Sequence, residues 1–441
     1  MARDVVAAGR LGAPPEGDRV RVIDLDARVG NVSLGLEDLW TLAGAAFGAR
    51  HLELVEAAAT IQMGDAALPR GRAEAWSRDV SFHLAASPGS PLHALTGRLA
   101  QCLEFVLGDR VTVYATDAGF AAPCPDRRQA AVGVDCVCLL SGGLDSLAGA
   151  VALLESGRKP LLLSHETGNP VTHASRAHAR QCLAERYGPL PSASVRLAAS
   201  GRRRARWPYP TEGEQEPSRR SRSLVPLTAA AAVADALDLD EIWIPENGVM
   251  AAQPPLTRAR VGAFTTRTAH PRWLQGLEGL FSDYFGRPMR IVNPLIESTK
   301  SEVVGHILLR HLDEAAVRGT DSCWAAGRGA LPCGGCVPCL IRRFAFAEWG
   351  LAPEATITDP LTDPDRGRGS ESYANLMALL GFVSDILSYP REGFYRRCPE
   401  LAYLGAGHVH TYEVLRRFAS EITRVCRREY PEAWDLAGVS Q

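Results

Sequence analysis

Apolar and polar residues recur along this chain with two periods, and the switches between them predict an α/β protein. Strand-like runs are VRVIDLD from Val20, WSRDVSFHL over Trp76–Leu84, and Val111–Tyr114. They are followed by Val134–Leu140, Pro160–Ser164, Ser194–Leu197, Glu241–Ile244 and Ile291–Asn293. Alternating or short unbroken apolar runs are what strands need when one or both faces are buried. Between them lie segments with apolar residues three and four apart: Leu92–Leu107, 146–156, 174–187, 224–237 and 299–311. From 133 to 310 strand and helix alternate, which predicts right-handed βαβ units and a doubly wound parallel sheet.

The flanks read differently. Residues 1–19 are rich in Gly, Pro and Arg and are expected to be a loose leader. The rest of 1–130 reads as an N-terminal α/β extension without a nucleophile–base constellation, suited to docking a partner. Residues 131–350 form the central domain. Residues 351–441 hold two aromatic-bearing helical segments, Glu371–Leu387 and Thr411–Tyr430, and read as a helical cap. Within the central domain Gly201–Ser223 is charged and Pro-containing, hence a loop, and its Arg202–Arg206 run reads as solvated. Arg222 differs, because it directly precedes the helix LVPLTAAAAVADAL and can face a bound nucleotide.

At 441 residues and a formal net charge of −2, the protein is not one that coats nucleic acid through bulk electrostatics. No apolar run has the length of a membrane span, and MARDVVAAGRLG lacks the apolar core of a signal peptide, so a cytoplasmic protein is expected. Lysine occurs only at Lys159, in a polar turn, and at Lys300, at the start of a predicted helix. In so arginine-biased a chain Lys300 is a candidate for a place that needs a compact ammonium.

Two motifs carry chemistry. Val134–Leu140 empties into Ser141-Gly142-Gly143-Leu144-Asp145-Ser146, which opens a helix. Two glycines and a helix N-terminus together make a cradle for an anion of pyrophosphate size. No Gly-Lys-Ser/Thr follows, so the loop is not a Walker A. The second motif is Cys323, Cys333, Cys336 and Cys339, spaced C-x9-C-x2-C-x2-C with Gly334, Gly335 and Pro338 as turn residues. Four thiolates at this spacing read as a structural Zn²⁺ site, with an iron–sulfur cluster as the alternative. Cys102, Cys136, Cys138 and Cys182 lie in apolar contexts and read as small buried residues.

The SGGLDS turn resembles the PP-loop of the N-type ATP pyrophosphatases. SGGLDS, SRSLVPLTAAA, an Asn-Pro-Leu strand end leading to TKSEVV, and the four cysteines also occur in the order seen in 7-cyano-7-deazaguanine synthases (QueC). This resemblance covers about residues 133–345 and implies a PP-loop (HUP-like) fold. It implies ATP, Mg²⁺ and Zn²⁺ as cofactors and a 7-carboxy-7-deazaguanine as the small-molecule substrate. The carboxylate attacks the α-phosphate, pyrophosphate leaves, and an amine attacks the acyl-adenylate. Carried over residue by residue, Ser141, Gly142, Gly143, Leu144, Asp145 and Ser146 cradle pyrophosphate, Leu139 and Leu140 lead into them, and Leu163, Ser164 and His165 flank the adenosine. Asp145, Ser146 and Lys300 carry the catalysis, Lys300 by neutralising phosphate charge.

Where these synthases carry an acidic Gly-Tyr-Pro-Asp-Cys-Arg type segment, the present chain has Pro245–Pro271, whose Asn247, Thr268 and His270 are expected to pair with the base. The flanking regions are similar to those of QueC-like proteins of bacterial anti-phage operons, especially QatC of the Qat system. That likeness implies a protein partner from the same operon and a protein amine as acceptor. A tRNA-modifying PP-loop enzyme and a non-catalytic nucleotide-sensing subunit of a defence complex are the competing readings.

Overall fold

The computed structural model describes residues 3–70, 77–120, 133–254, 256, 267–325, 331–363, 368–398, 401 and 408–436. Helices of twelve residues or more are numbered α1–α9. Among the described residues the strands form two sheets.

The first sheet has the order β2-β1-β4-β5, all parallel, from β1 (Arg3–Ala8), β2 (Arg19–Ile23), β4 (Asp79–Ala86) and β5 (Arg110–Asp117). The loose leader expected over 1–19 is therefore corrected at its start, since Arg3–Ala8 is an interior strand. Val5, Val6, Ala7 and Ala8 are all buried, as a strand covered on both faces requires. The Gly, Pro and Arg of the following turn swamp that short run in any composition average.

The second sheet has the order β10-β9-β6-β7-β8-β3. Its strands are β3 (Val32–Gly35), β6 (Cys136–Leu139), β7 (Pro160–Glu166), β8 (Ser192–Ala199), β9 (Glu241–Trp243) and β10 (Arg290–Val292). All neighbours are parallel except β3, which adds antiparallel to β8. The parallel core agrees with the expected doubly wound arrangement. The edge strand comes from before residue 130, so the N-terminal region completes the central sheet.

Helix α1 (Ala49–Ala67) lies between the sheets, with α2 (Leu92–Leu107) on the first, and α3 (Leu144–Glu155), α4 (Pro170–Tyr187), α5 (Leu224–Ala236) and α6 (Pro271–Phe285) around the second. One hydrophobic core runs from Val6 and Phe82 through α1 and α5 to Val137 and Leu163. A second core joins α7 (Val337–Glu348), α8 (Glu371–Ser388) and α9 (His408–Glu429) to the short helix Gly248–Ala252. The C-terminal helices thus sit beside the carboxyl end of β9. No described helix is long and apolar enough to cross a membrane.

Candidate functional site

In the second sheet the chain runs β6, β7, β8 in one direction and then returns to place β9 on the other side of β6. A crevice opens outside the carboxyl ends of strands at such a reversal. SGGLDS follows β6 and Glu246-Asn247 follow β9, so both flank this crevice.

The loop is built to turn inside its own length. Gly142 has φ +89°, and a Cβ there would lie 2.6 Å from the Arg176 amide nitrogen, so both its conformation and its surroundings demand glycine. The Ser146 hydroxyl donates to the Gly143 carbonyl at 2.9 Å and accepts from the Gly142 amide at 3.2 Å and from the Ser141 hydroxyl at 3.1 Å. Ser141 in turn accepts from the Gly143 amide at 3.3 Å. The two serines therefore fix the loop in the shape that starts α3. Leu140 donates its amide to the Leu163 carbonyl, and the buried Ser164 hydroxyl donates back to the Leu140 carbonyl at 2.9 Å. Burial, with help from Arg176, holds the His165 imidazole down at about 4, hence neutral at physiological pH.

Asp145, in the first turn of α3, is buried and is the centre of the group. Its Oδ2 accepts from Lys300 Nζ at 2.6 Å, from Asn247 Nδ2 at 2.8 Å and from the Asn247 amide at 3.3 Å. Burial raises its carboxyl, but the Lys300 ammonium and these hydrogen bonds outweigh that and hold it below the usual carboxylate range. The Glu246 carboxyl beside it goes the other way. Burial and the Asp145 charge push it well above its ordinary value. Glu246 belongs to no motif of the sequence; only its place directly after β9 signals it.

Lys300 opens a helical segment whose N-cap is Thr299. The Thr299 hydroxyl accepts from the Glu302 amide at 3.1 Å and the Glu302 carboxylate accepts from the Thr299 amide at 2.9 Å, a capping box. Thr299 also donates to Glu421 of α9 at 2.9 Å, which ties the C-terminal cap to the cap of the lysine's helix. Arg222 is exposed, and its charge acts on Glu246. The structure therefore brings together Asp145, Lys300 and Asn247, with Glu246 beside them.

The three residues expected to pair with a base fare differently. Both ends of the Asn247 side chain are committed, Nδ2 to Asp145 and Oδ1 to the Met250 amide, so it buttresses the carboxylate. His270 caps α6, accepting from the Arg272 amide, and packs on Phe105 of α2 with its imidazole pushed down to about 3 by burial. Thr268, two residues before it, is buried. Among the described contacts none joins Thr268 or His270 to Asp145.

The Sγ atoms of Cys323, Cys333, Cys336 and Cys339 all lie within 4.8 Å of one another. Four thiolates about 2.3 Å from one tetrahedral Zn²⁺ stand roughly 3.8 Å apart, so the donor set fits a single ion. Gly334, at φ +78°, lets the turn pass under Thr358, whose carbonyl would meet a Cβ at 1.9 Å. Backbone amides of Ala325 and Cys333 point at the Cys323 sulfur, and that of Cys336 at Cys333. Two residues upstream of the first cysteine, the Asp321 amide donates to the Gly142 carbonyl at 3.3 Å, while its carboxylate accepts from the Cys323 amide at 3.0 Å. The cysteine cluster is thus anchored to the SGGLDS loop.

Residues 220–350 match the family described as "Queuosine biosynthesis protein QueC". Curated relatives named 7-cyano-7-deazaguanine synthase include those of Methylococcus capsulatus, 29% identical over 224 residues, and Thiobacillus denitrificans, 30% identical over 224 residues. Each match takes in 49% of this chain and 95% of the relative. A third, from Desulfatibacillum aliphaticivorans, is 28% identical over 50% of this chain and 94% of its own length. About half of the present chain therefore has no counterpart in these relatives.

Proposed function

The chain belongs to the 7-cyano-7-deazaguanine synthase (QueC) family, and from that premise we propose that it adenylates a 7-carboxy-7-deazaguanine-type carboxylate with ATP and passes the acyl group to an amine. The observation that carries this reading is the buried Lys300 ammonium on Asp145 Oδ2, set in the first turn of the helix that the SGGLDS loop opens.

In the proposed reaction one carboxylate oxygen forms a bond to the α-phosphorus, and the bond from that phosphorus to the bridging oxygen breaks. Pyrophosphate leaves with that electron pair. The amine nitrogen then attacks the acyl carbon, AMP leaves with the carboxyl-derived oxygen, and the nitrogen loses its proton. Catalysis of such a transfer is mainly positioning and electrostatics. The loop amides and the α3 N-terminus receive pyrophosphate, Lys300 spreads its charge over the phosphate oxygens, and Asp145 and Asn247 aim Lys300. Arg222 supports the nucleotide from the α5 side, and Leu139, Leu140, Leu163, Ser164 and neutral His165 wall the adenosine. Asp145 and Glu246 are the carboxyls that would hold Mg²⁺, which would supply positive charge against the developing phosphate charge. Cys323, Cys333, Cys336 and Cys339 would hold Zn²⁺ in a structural role, closing the segment whose Asp321 amide bonds the Gly142 carbonyl.

The amine is ammonia or an amine of a partner protein. The half of the chain without counterpart in the synthases supports the second: residues 1–130 and 351–441 dock that partner around the central domain, in a Qat-type anti-phage role. The test is pyrophosphate release by the full chain with ATP and 7-carboxy-7-deazaguanine, with and without ammonium. Release that requires the acid supports the reading; ADP in place of AMP, or release indifferent to the acid, overturns it.

A further inference from the structure

The first sheet has its own reversal. From β1 the chain places β2 on one side and then β4 and β5 on the other, so the carboxyl ends of β1 and β4 bound a second crevice. A cavity of about 270 Å³ opens there, lined among others by Gly9, Asp24, Glu56, Ala57, Ala85 and Phe120. We propose that this cavity is a second binding site, for a small planar heterocycle that presents adjacent N–H donors, as the edge of a guanine-type base does.

The group that points to a ligand is Asp24, which follows β2 and is 3% exposed. Its Oδ1 accepts from the Asp26 amide at 3.1 Å, whereas its Oδ2 is buried without a hydrogen-bond partner. The nearest cation, Arg206, stands 3.7 Å from that oxygen and is half exposed, too far for a hydrogen bond. Buried acceptors are almost always paired, so an orphaned carboxylate oxygen in a cavity wall calls for a donor from outside.

The rest of the wall narrows the donor. Arg10 is already held by Glu56 in a two-oxygen pair at 2.6 and 2.8 Å, and its guanidinium lies 4.5 Å over the Phe120 ring. Asp24, Asp26 and Glu56 outnumber Arg10 and Arg206 in the lining, which disfavours a phosphate or carboxylate ligand. The remaining surface is mostly apolar, from small residues such as Ala8, Ala57 and Ala85, the larger Ile23 and Leu25, and the Phe120 ring. A space of this size takes one or two fused rings and excludes a dinucleotide. One ring N–H would pair with the open Oδ2, and the N–H beside it would share Oδ1, which has a second lone pair, with the Asp26 amide. The cavity lies on the other sheet from Asp145, and none of its lining residues belongs to the Asp145 group.

The test is calorimetric titration of the full chain with guanosine and, separately, adenosine, in wild type, Asp24→Asn and Ala57→Leu. Asp24→Asn keeps an oxygen for the Asp26 amide and turns the orphan acceptor into an NH₂; Ala57→Leu fills the cavity from α1. Guanosine is expected to bind wild type with a component that both variants weaken at least tenfold, and adenosine is expected to show no variant-dependent component. Binding of guanosine that both variants leave unchanged, an equal variant-dependent component for adenosine, or no guanosine binding up to millimolar concentration would overturn the proposal. Should Asp24→Asn fail to fold by circular dichroism, Ala57→Leu alone decides. Pyrophosphate release stays at the wild-type rate in either folded variant, because neither residue touches the Asp145 group.

Discussion

Replacing Lys300 by Met removes one ammonium and keeps a long unbranched stem, so it isolates the charge in the Asp145 group. In the wild type the two side chains are 10% and 7% exposed and 2.6 Å apart. Without Lys300 the carboxylate loses its one ion-pair partner among the described contacts and keeps the Asn247 donors and the raised Glu246 carboxyl beside it. Breaking a buried pair from one side typically costs about 3–5 kcal/mol, because the remaining charge is left uncompensated. The protein can escape part of that cost by protonating Asp145, and the pH dependence gives the effect its signature. In the wild type the Asp145 carboxyl is depressed. Its contribution is therefore present above the unfolded value and is lost as pH falls through the folded one. In the variant the same carboxyl is raised by burial, so its penalty is largest at high pH and shrinks as pH falls. One pKa unit corresponds to about 1.4 kcal/mol, so a rise of two units above the unfolded value costs roughly 3 kcal/mol at pH 8 and roughly half of that at pH 5, where the unfolded carboxyl is still ionised. Urea unfolding followed by circular dichroism at the two pH values measures this directly. The double variant Lys300→Met/Asp145→Asn is expected to recover most of the stability at pH 8. A cost under about 0.5 kcal/mol that does not change with pH would refute the reasoning, since ordinary surface changes lie in that range.

Lys300→Arg keeps the charge but not the compact shape, and pyrophosphate release should fall at least about tenfold, or about 1.4 kcal/mol of transition-state stabilisation; near-normal kinetics would place Lys300 outside the reaction. Cys336→Ser should abolish stoichiometric zinc by elemental analysis and, through Asp321 and Gly142, lower activity as well as solubility; full metal content would remove the site. Glu421 is pushed up to about 7, chiefly by burial and further by Glu302 and Glu348, against Thr299 and Arg424. A carboxyl raised in the folded state costs stability above its folded pKa and nothing below the unfolded one, so stability falls as pH rises from about 4.5 toward 7. Glu421→Gln should remove that slope in thermal melts across this window and stabilise the protein at pH 8 by on the order of 1–3 kcal/mol; an unchanged slope would contradict it.

What the sequence disclosed was local. SGGLDS and the cysteine spacing are continuous or nearly so, and each dictates its own turn chemistry, down to the positive φ of Gly142 and Gly334. Lys300 stood out because arginine fills almost every other cationic position. The parallel order of the central strands followed from their alternation with helices. The features that escaped are those made by chain segments meeting from a distance. Glu246 matters because β9 ends beside the start of α3, a juxtaposition no local pattern records. Asn247 looked like a group for a ligand and is instead consumed by Asp145 and Met250. β3 reads as a weak four-residue run and becomes a strand only because β8 offers it an edge. Helix α1 is buried on nearly every side between two sheets, so it lacks the polar face that marks a surface helix.

An acyl-adenylate forms only if the carboxylate itself attacks the α-phosphorus. The direct measurement uses 7-carboxy-7-deazaguanine labelled with oxygen-18 in both carboxylate positions, reacted with ATP and ammonium, with the nucleotides read by mass spectrometry. An acyl-adenylate route predicts AMP carrying one oxygen-18 and unlabelled pyrophosphate. Oxygen-18 in inorganic phosphate alongside ADP, or AMP without label, would contradict it.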